Sequence, residues 1–357
     1  MTFVLGRDGD LEAGLSGHLG YYRALDGSRG AMLHVDLDGP HAVLIVGKRG
    51  YGKSFTLGVV AEELSRAPGV SPVVIDPMGV FATLAESAGE TTVSASVLES
   101  PAVTPTSLDP RSWCELLGLS PESGAGGLVW RAAQEAATIE GMCTHVDASD
   151  APGTDRRAAI NHLELARSWG VFDDAGVSAD DLAGGDVTIV DVSGLDSAPM
   201  NAVCRAIAED LYRARVTGRV QRLPWLLLDE AHTFFTGVAD PALRRILTRG
   251  RAPGVSLVLA TQRPSAVPSV AISQTDLLLS HRLTSRADLE ALERAQPTYL
   301  RSSLDERMPT APGEVLVVDD ATETVHAGRI RNRETPHGGD SPSASAVSIT
   351  DERADRH

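Results

Sequence analysis

Residues 47–54, Gly47-Lys48-Arg49-Gly50-Tyr51-Gly52-Lys53-Ser54, form a complete G-x-x-x-x-G-K-S phosphate loop, and few sequence features limit a fold so narrowly. The apolar run Ala42–Val46 precedes it, and Leu57, Val60, Ala61 and Leu64 follow it at helical spacing, so the context is strand, loop, helix. The glycines let backbone N–H groups curl round phosphates, and the helix that opens after Ser54 points its positive dipole end at them. Lys53 reaches the terminal phosphates and Ser54 offers its hydroxyl to Mg²⁺. Lys48 and Lys53 are the only lysines of the chain. A solvated glycine-rich turn is the bland alternative, and so complete a match leaves it little room.

A chain of 357 residues has ample length for one large α/β domain with an insertion. No apolar run approaches the roughly 18 residues of a membrane span, and the start Met1–Asp8 has no basic segment followed by an apolar core, which predicts a cytoplasmic protein without a membrane partner. Cys114, Cys143 and Cys204 are few, odd in number and far apart, a pattern of buried thiols rather than of a disulfide framework or metal site. The net charge of −16 argues against an overall DNA-binding surface, so any nucleic-acid contact must be local. Nearly all basic residues are Arg; a salt-rich cytoplasm accounts for that balance, and so does a GC-rich genome.

The pattern predicts an α/β fold. Residues 1–40 are a short Gly- and Asp-rich segment with one good strand candidate, Met32–Leu37. Residues 41–98 and 186–332 carry the sheet-forming core, with strands expected at Pro72–Asp76, Thr91–Val97, Val187–Val192, Trp225–Glu230, Ser256–Gln262, Leu277–Arg282, Glu314–Val318 and Thr324–Ile330. Asp76 reads as a turn or helix-cap carboxylate. Residues 99–185 form a helical insertion, with helices expected at Ser112–Leu117, Leu128–Glu140 and Arg156–Trp169 around Trp113, Trp130 and Trp169. His145 and His162 have no companions at ligand spacing. From Arg331 on the chain is polar, and 333–357 reads as a partly disordered tail.

The second chemical landmark is the apolar strand ending in Asp229-Glu230. Asp229 is placed to hold the metal's water shell and Glu230 to orient the water that attacks the terminal phosphate. A strand-end aspartate capping the next helix is the alternative, and the phosphate loop upstream pushes it well behind. Gln262, at the end of Ser256–Gln262, meets the terminal phosphate if that strand lies beside the Asp229 strand. The basic run Arg244–Arg251 is either a solvated face or the source of an arginine finger for a neighbour's nucleotide.

Together, Gly47–Ser54, Asp229-Glu230-Ala231-His232, Gly250-Arg251 before a strand and Thr261-Gln262-Arg263-Pro264 resemble the HerA/FtsK-type ATPases, closest to the archaeal HerA side. The resemblance covers roughly residues 40–335, and the ending Arg329–Gly339 is also similar to the C-terminal segment of HerA-like proteins. It implies a RecA-like, mostly parallel sheet flanked by helices, a ring of six subunits, ATP with Mg²⁺, and movement along double-stranded DNA. Carried over by motif, Gly47 to Ser54 with the adjoining Phe55 bind the nucleotide, and Ser54 and Asp229 hold the metal. Glu230 activates water, Gln262 senses the terminal phosphate, and Arg251, with Arg249 second, acts in trans. The N-terminal barrel common in HerA proteins is absent or cut to a remnant within 1–40, which puts docking of a HerA-type nuclease in doubt. The expected function is a DNA-pumping ATPase for end processing, plasmid transfer or viral genome packaging. An ATP-gated assembly protein that controls a partner is the alternative, and a small-molecule kinase is a weak third.

Overall fold

The computed structural model describes residues 2–7, 14–24, 26–86, 93–294 and 308–339. In chain order the elements are β1 (Thr2–Leu5), β2 (Ser16–Arg23), β3 (Arg29–Asp36), β4 (Ala42–Val46), α1 (Lys53–Leu64), β5 (Val70–Asp76) and β6 (Ala95–Leu98). The helices α2 (Pro110–Leu116), α3 (Gly124–Glu135), α4 (Ile139–Asp147), α5 (Gly153–Ser168) and α6 (Ala179–Leu182) follow. Then come β7 (Val187–Asp191), α7 (Ser197–Val216), β8 (Leu223–Leu228), α8 (Asp240–Arg249), β9 (Ser256–Thr261), α9 (Ser269–Ser273), β10 (Leu277–Ser280), α10 (Arg286–Arg294), β11 (Glu314–Asp319) and β12 (Thr324–Ile330).

All twelve strands join one sheet in the order β1-β3-β2-β12-β11-β10-β4-β9-β8-β5-β7-β6. From β10 to β6 every neighbouring pair is parallel. β4, the strand that feeds the phosphate loop, is central, between β10 and β9. Its alternation divides the core: Leu44 and Val46 pack on one face with α7 and α8, and Val43 and Ile45 on the other with α1. Strands covered on both faces read as continuous apolar runs, which is why these were legible.

The strands β1, β2 and β3 are not a separate unit. β2 pairs antiparallel with β12 and carries the sheet onward through β3 and β1. Gly20 of β2 lies so close to the Arg329 carbonyl that a Cβ there would sit 2.0 Å away. Only Met32–Leu37 had a strand signature in sequence, since β2 is rich in Gly, His and Tyr and gains its second partner only from the far end of the chain.

In the insertion, Trp113, Val129, Met142 and Leu163 are fully or almost fully buried in a separate cluster, and the Trp113 indole donates to the Pro105 carbonyl at 3.1 Å. Trp130 and Trp169 pack at its margin. The helix expected over Leu128–Glu140 is two. α3 stops at Glu135, and the Thr138 hydroxyl accepts the Gly141 N–H at 2.9 Å to cap α4. The expected strand at Thr91–Val97 corresponds to β6 where it is described; Thr91 and Thr92 lie outside the described residues.

A second correction concerns the C-terminal segment. Residues Arg331–Gly339 are packed, with Arg331 and Thr335 buried; 340–357 lie outside the described residues. The physical reason is Glu62, fully buried in α1, whose carboxylate accepts from Arg331 at 2.7 Å and from Thr335 Oγ1 at 2.7 Å. A buried carboxylate demands donors, and this segment supplies them. Among the described residues no helix is long and apolar enough to cross a membrane, and Cys114, Cys143 and Cys204 are free thiols.

Candidate phosphate-loop active site

The loop leaves β4 at the C-terminal edge of the parallel strands and turns into α1 at Gly52, whose φ of 108° only glycine adopts without strain. Open backbone N–H groups and the helix dipole therefore face the cleft above the sheet. Lys53 is buried, 5% exposed, and its Nζ lies 3.5 Å from the Lys48 carbonyl. Burial pulls its pKa down, and the carboxylates of Glu230 and Asp229 oppose that shift. Lys48 folds over the Tyr51 ring at 4.3 Å. Gly47 packs against His281, with room for no side chain: a Cβ would lie 2.6 Å from the His281 Cβ.

β8 pairs in parallel with β9, and β9 with β4, so Asp229, Glu230 and Gln262 arrive beside the loop. The Ser54 hydroxyl donates to Asp229 Oδ2 at 2.7 Å. Asp229 is 1% exposed, and burial raises its pKa against the pull of that hydrogen bond. Glu230 occupies the left-handed region at φ 43°, held by its N–H to Asp229 Oδ1 at 2.9 Å. A non-glycine residue there is strained, and such strain concentrates at working sites. Burial also raises the Glu230 pKa, opposed by Lys53, by hydrogen bonds from Gln262 and by Arg49. Its Oε2 is buried without a hydrogen-bond partner, with His232 Nδ1 3.4 Å away. A carboxylate oxygen desolvated and unpaired at the mouth of a phosphate loop is poised to take a hydrogen bond from a water.

A cleft of about 470 Å³ joins these groups; Arg49, Gly50, Gly52, Lys53, Ser54 and Phe55 line one side with Asp229 and Glu230. Mg²⁺ takes oxygen ligands and is commonly held by one or two side chains plus phosphates and water. The Ser54 hydroxyl and Asp229 carboxylate suit that donor set, and no larger cluster of metal-ligating side chains occurs among the described residues.

Arg251 and Arg249 do not line this cleft. Arg251 lies before β9, at the opposite edge of the sheet, 3.5 Å from Asp276 and well exposed. Within the basic run, Arg244 pairs with Asp240 at 2.7 Å and Arg245 with Glu209 at 3.0 Å. Asp76 acts as a turn residue, accepting from the N–H groups of Met78 and Phe81.

Three contributors carried no role in the sequence reading. His281 buttresses the loop from β10: its N–H bonds Val46, and its ring lies between Glu314 and Thr56. A polar residue closing the apolar run Leu277–Ser280 was the available signal. His232 Nδ1 meets Thr261 Oγ1 at 3.2 Å, linking the ends of β8 and β9. The third is the Arg331–Gly339 segment, which forms the far side of the cleft through Asn332, His337 and Gly339.

A central parallel sheet with Lys53, Ser54, Asp229 and Glu230 at its C-terminal edge defines a phosphate-loop ATPase. The family model described as "Helicase HerA, central domain" matches residues 25–211, just over half of the chain, and the chain belongs to that family, on the HerA/FtsK side of the phosphate-loop ATPases. The fold is similar to VirB4 of Thermoanaerobacter pseudethanolicus, 18% identical with a TM-score of 0.67 over 91% of this chain and 98% of that one. It is also similar to the bacterial conjugative coupling protein TrwB, in its ΔN70 form, 13% identical with a TM-score of 0.56 over 85% and 88%. The genome packaging NTPase B204 from Sulfolobus turreted icosahedral virus 2 gives a TM-score of 0.42 at 14% identity, over 81% of this chain and 97% of that one. No curated protein sequence matches the chain.

Proposed function

We propose that the protein is a cytoplasmic, ring-forming motor, six subunits to the ring, that couples ATP hydrolysis to movement along double-stranded DNA. The observation that carries this reading is the convergence of Lys53, Ser54, Asp229, Glu230 and Gln262 at the ends of three adjacent parallel strands. Lys53 and the loop N–H groups bind the terminal phosphates. Ser54 and Asp229 hold Mg²⁺, which when bound neutralises charge on the phosphate oxygens. Glu230 orients the attacking water, and Gln262, on the next strand, reports whether the terminal phosphate is in place. Arg251, with Arg249 as second choice, stands at the far edge of the sheet, where it serves a neighbour's nucleotide rather than its own. Such a motor serves DNA-end processing, plasmid transfer or genome packaging, with a nuclease or a viral or plasmid component as partner.

The second reading, an ATP-gated assembly protein that moves no DNA, draws support from the acidic chain and from the ion pairs of Arg244, Arg245 and Arg251, which leave the basic run less free charge for phosphates. ATPase rates with and without linear duplex, closed circles and single strands separate the two. The motor requires stimulation by duplex and ATP-dependent displacement of a roadblock bound to it. Robust basal hydrolysis with no response to any nucleic acid would refute the motor.

A further inference from the structure

The nine residues Arg331–Gly339 are fixed to the helix that begins in the phosphate loop. Arg331 donates to Glu62 and Glu63 of α1, each at 2.7 Å. Glu62 Oε1 accepts the N–H groups of Glu334 and Thr335, both at 2.9 Å. The Arg333 side chain is 2% exposed and lies over Gly58, where a Cβ would come within 2.9 Å of its guanidinium. The other side of this strap borders the cleft. Asn332 and His337 line it along with Lys53, Ser54 and Phe55, and the His337 ring meets Phe55 edge-on with centroids 5.5 Å apart.

A phosphate loop grips phosphates and is indifferent to what they are attached to. The cleft of about 470 Å³ is within the range of about 300 to 1,000 Å³ over which clefts enclose small-molecule ligands. Beyond Ser54 its lining brings in two aromatic rings, an amide, the apolar side chains of Met78, Val80 and Ile330, and the Arg329 guanidinium. That is the chemistry of a heterocycle: a flat apolar face with donors and acceptors along its edge.

We infer that the strap is the nucleoside half of the ATP site, with Phe55 and His337 supplying an aromatic wall for the base and Asn332 an amide that both donates to and accepts from the base or ribose. The inference rests on the phosphate-loop reading of the same cleft. It means that nucleotide recognition depends on the strap being docked on α1, through the Glu62 contacts.

Calorimetric titration of the full chain with ATP and with inorganic tripolyphosphate, each with Mg²⁺, separates the two halves of the site. Wild-type protein should bind ATP the more tightly. Asn332→Ala and His337→Ala should each weaken ATP about tenfold and leave tripolyphosphate within about twofold, while His337→Phe keeps most of the ATP affinity. Asn332 is exposed, so its replacement does not threaten the fold. Unchanged ATP affinity in both alanine variants would overturn the inference while leaving the phosphate loop intact. Equal losses for ATP and tripolyphosphate would also overturn it, since the strap would then only prop the loop. If wild-type protein bound neither ligand, the phosphate-loop reading would fall first and this inference with it.

Discussion

Mild acid should destabilise this protein, and the largest single share should come from His281. His281 is fully buried. Its Nδ1 lies 2.8 Å from the Glu314 carbonyl, which can only accept, so that nitrogen carries the proton and Nε2 accepts from Thr56 Oγ1 at 2.9 Å. Burial holds its pKa down at about 4 from an ordinary 6.5; the Glu314 carbonyl opposes the shift and the Lys53 charge adds to it. The folded-state pKa is the lower one, so as pH falls the unfolded chain takes up the proton first. The contribution to stability is intact above about pH 6.5, declines through the interval down to about pH 4, and is level below. The loss amounts to about 2 kcal/mol at pH 5 and about 3 kcal/mol at pH 4. Urea unfolding at a series of pH values, compared between wild type and His281→Asn, isolates the effect because every other titrating group is common to both. The variant should start less stable and lose less on acidification, by roughly those amounts. Parallel pH dependences in the two proteins would refute the assignment of a neutral, desolvated His281.

Lys53→Ala should lose tight nucleotide binding or turnover, whereas Glu230→Gln should bind ATP and hydrolyse it slowly; near-normal turnover in the latter would remove Glu230 as the water-orienting group. Glu230→Gly should raise the melting temperature, by an amount equivalent to about 1 kcal/mol, while abolishing hydrolysis, because it releases the left-handed strain at φ 43°; a lower melting temperature counts against strain at that residue. Glu62→Gln removes the fully buried anion that faces Arg331 and Arg333, leaving Arg331 mainly Glu63, and should cost about 3 kcal/mol in chemical denaturation, against little for the half-exposed Glu164→Gln. Mixed rings of Arg251→Ala and Glu230→Gln subunits, each inactive alone, should regain some ATPase activity; recovery only with Arg249→Ala in place of Arg251→Ala would move the finger to Arg249.

The parallel half of the sheet and the Lys53, Ser54, Asp229 and Glu230 quartet were legible because they rest on local rules. A strand buried on both faces is an unbroken apolar run, and the loop's spacing is set by the size of a phosphate. Asp229 and Ser54 could be paired in advance because each motif alone specifies its place on the same sheet edge. What escaped rests on distant partners. Arg331–Gly339 has a disordered segment's composition and is ordered by distant partners, chiefly Glu62, itself an unremarked charge in an apolar helix. β2 joins the main sheet only through β12. His281 looks like any polar strand end until Gly47 and Thr56 are set against it. The break between α3 and α4 was local, a Thr138 cap, but lay hidden inside a run whose apolar spacing continued across it.

The order of strands in the sheet also sets a clock on biosynthesis. β4 emerges early from the ribosome, yet the Ala42 N–H finds the Asp276 carboxylate only after another 234 residues, and Arg331 reaches the His18 carbonyl across 313. Closing such long loops comes late and slowly, and meanwhile β2 and β3 are an exposed hairpin with an unpaired edge. The nascent chain can therefore carry the entire phosphate loop for most of its synthesis without the β10 neighbour that braces it. The brace of the loop by His281 is therefore among the last contacts of the site to form.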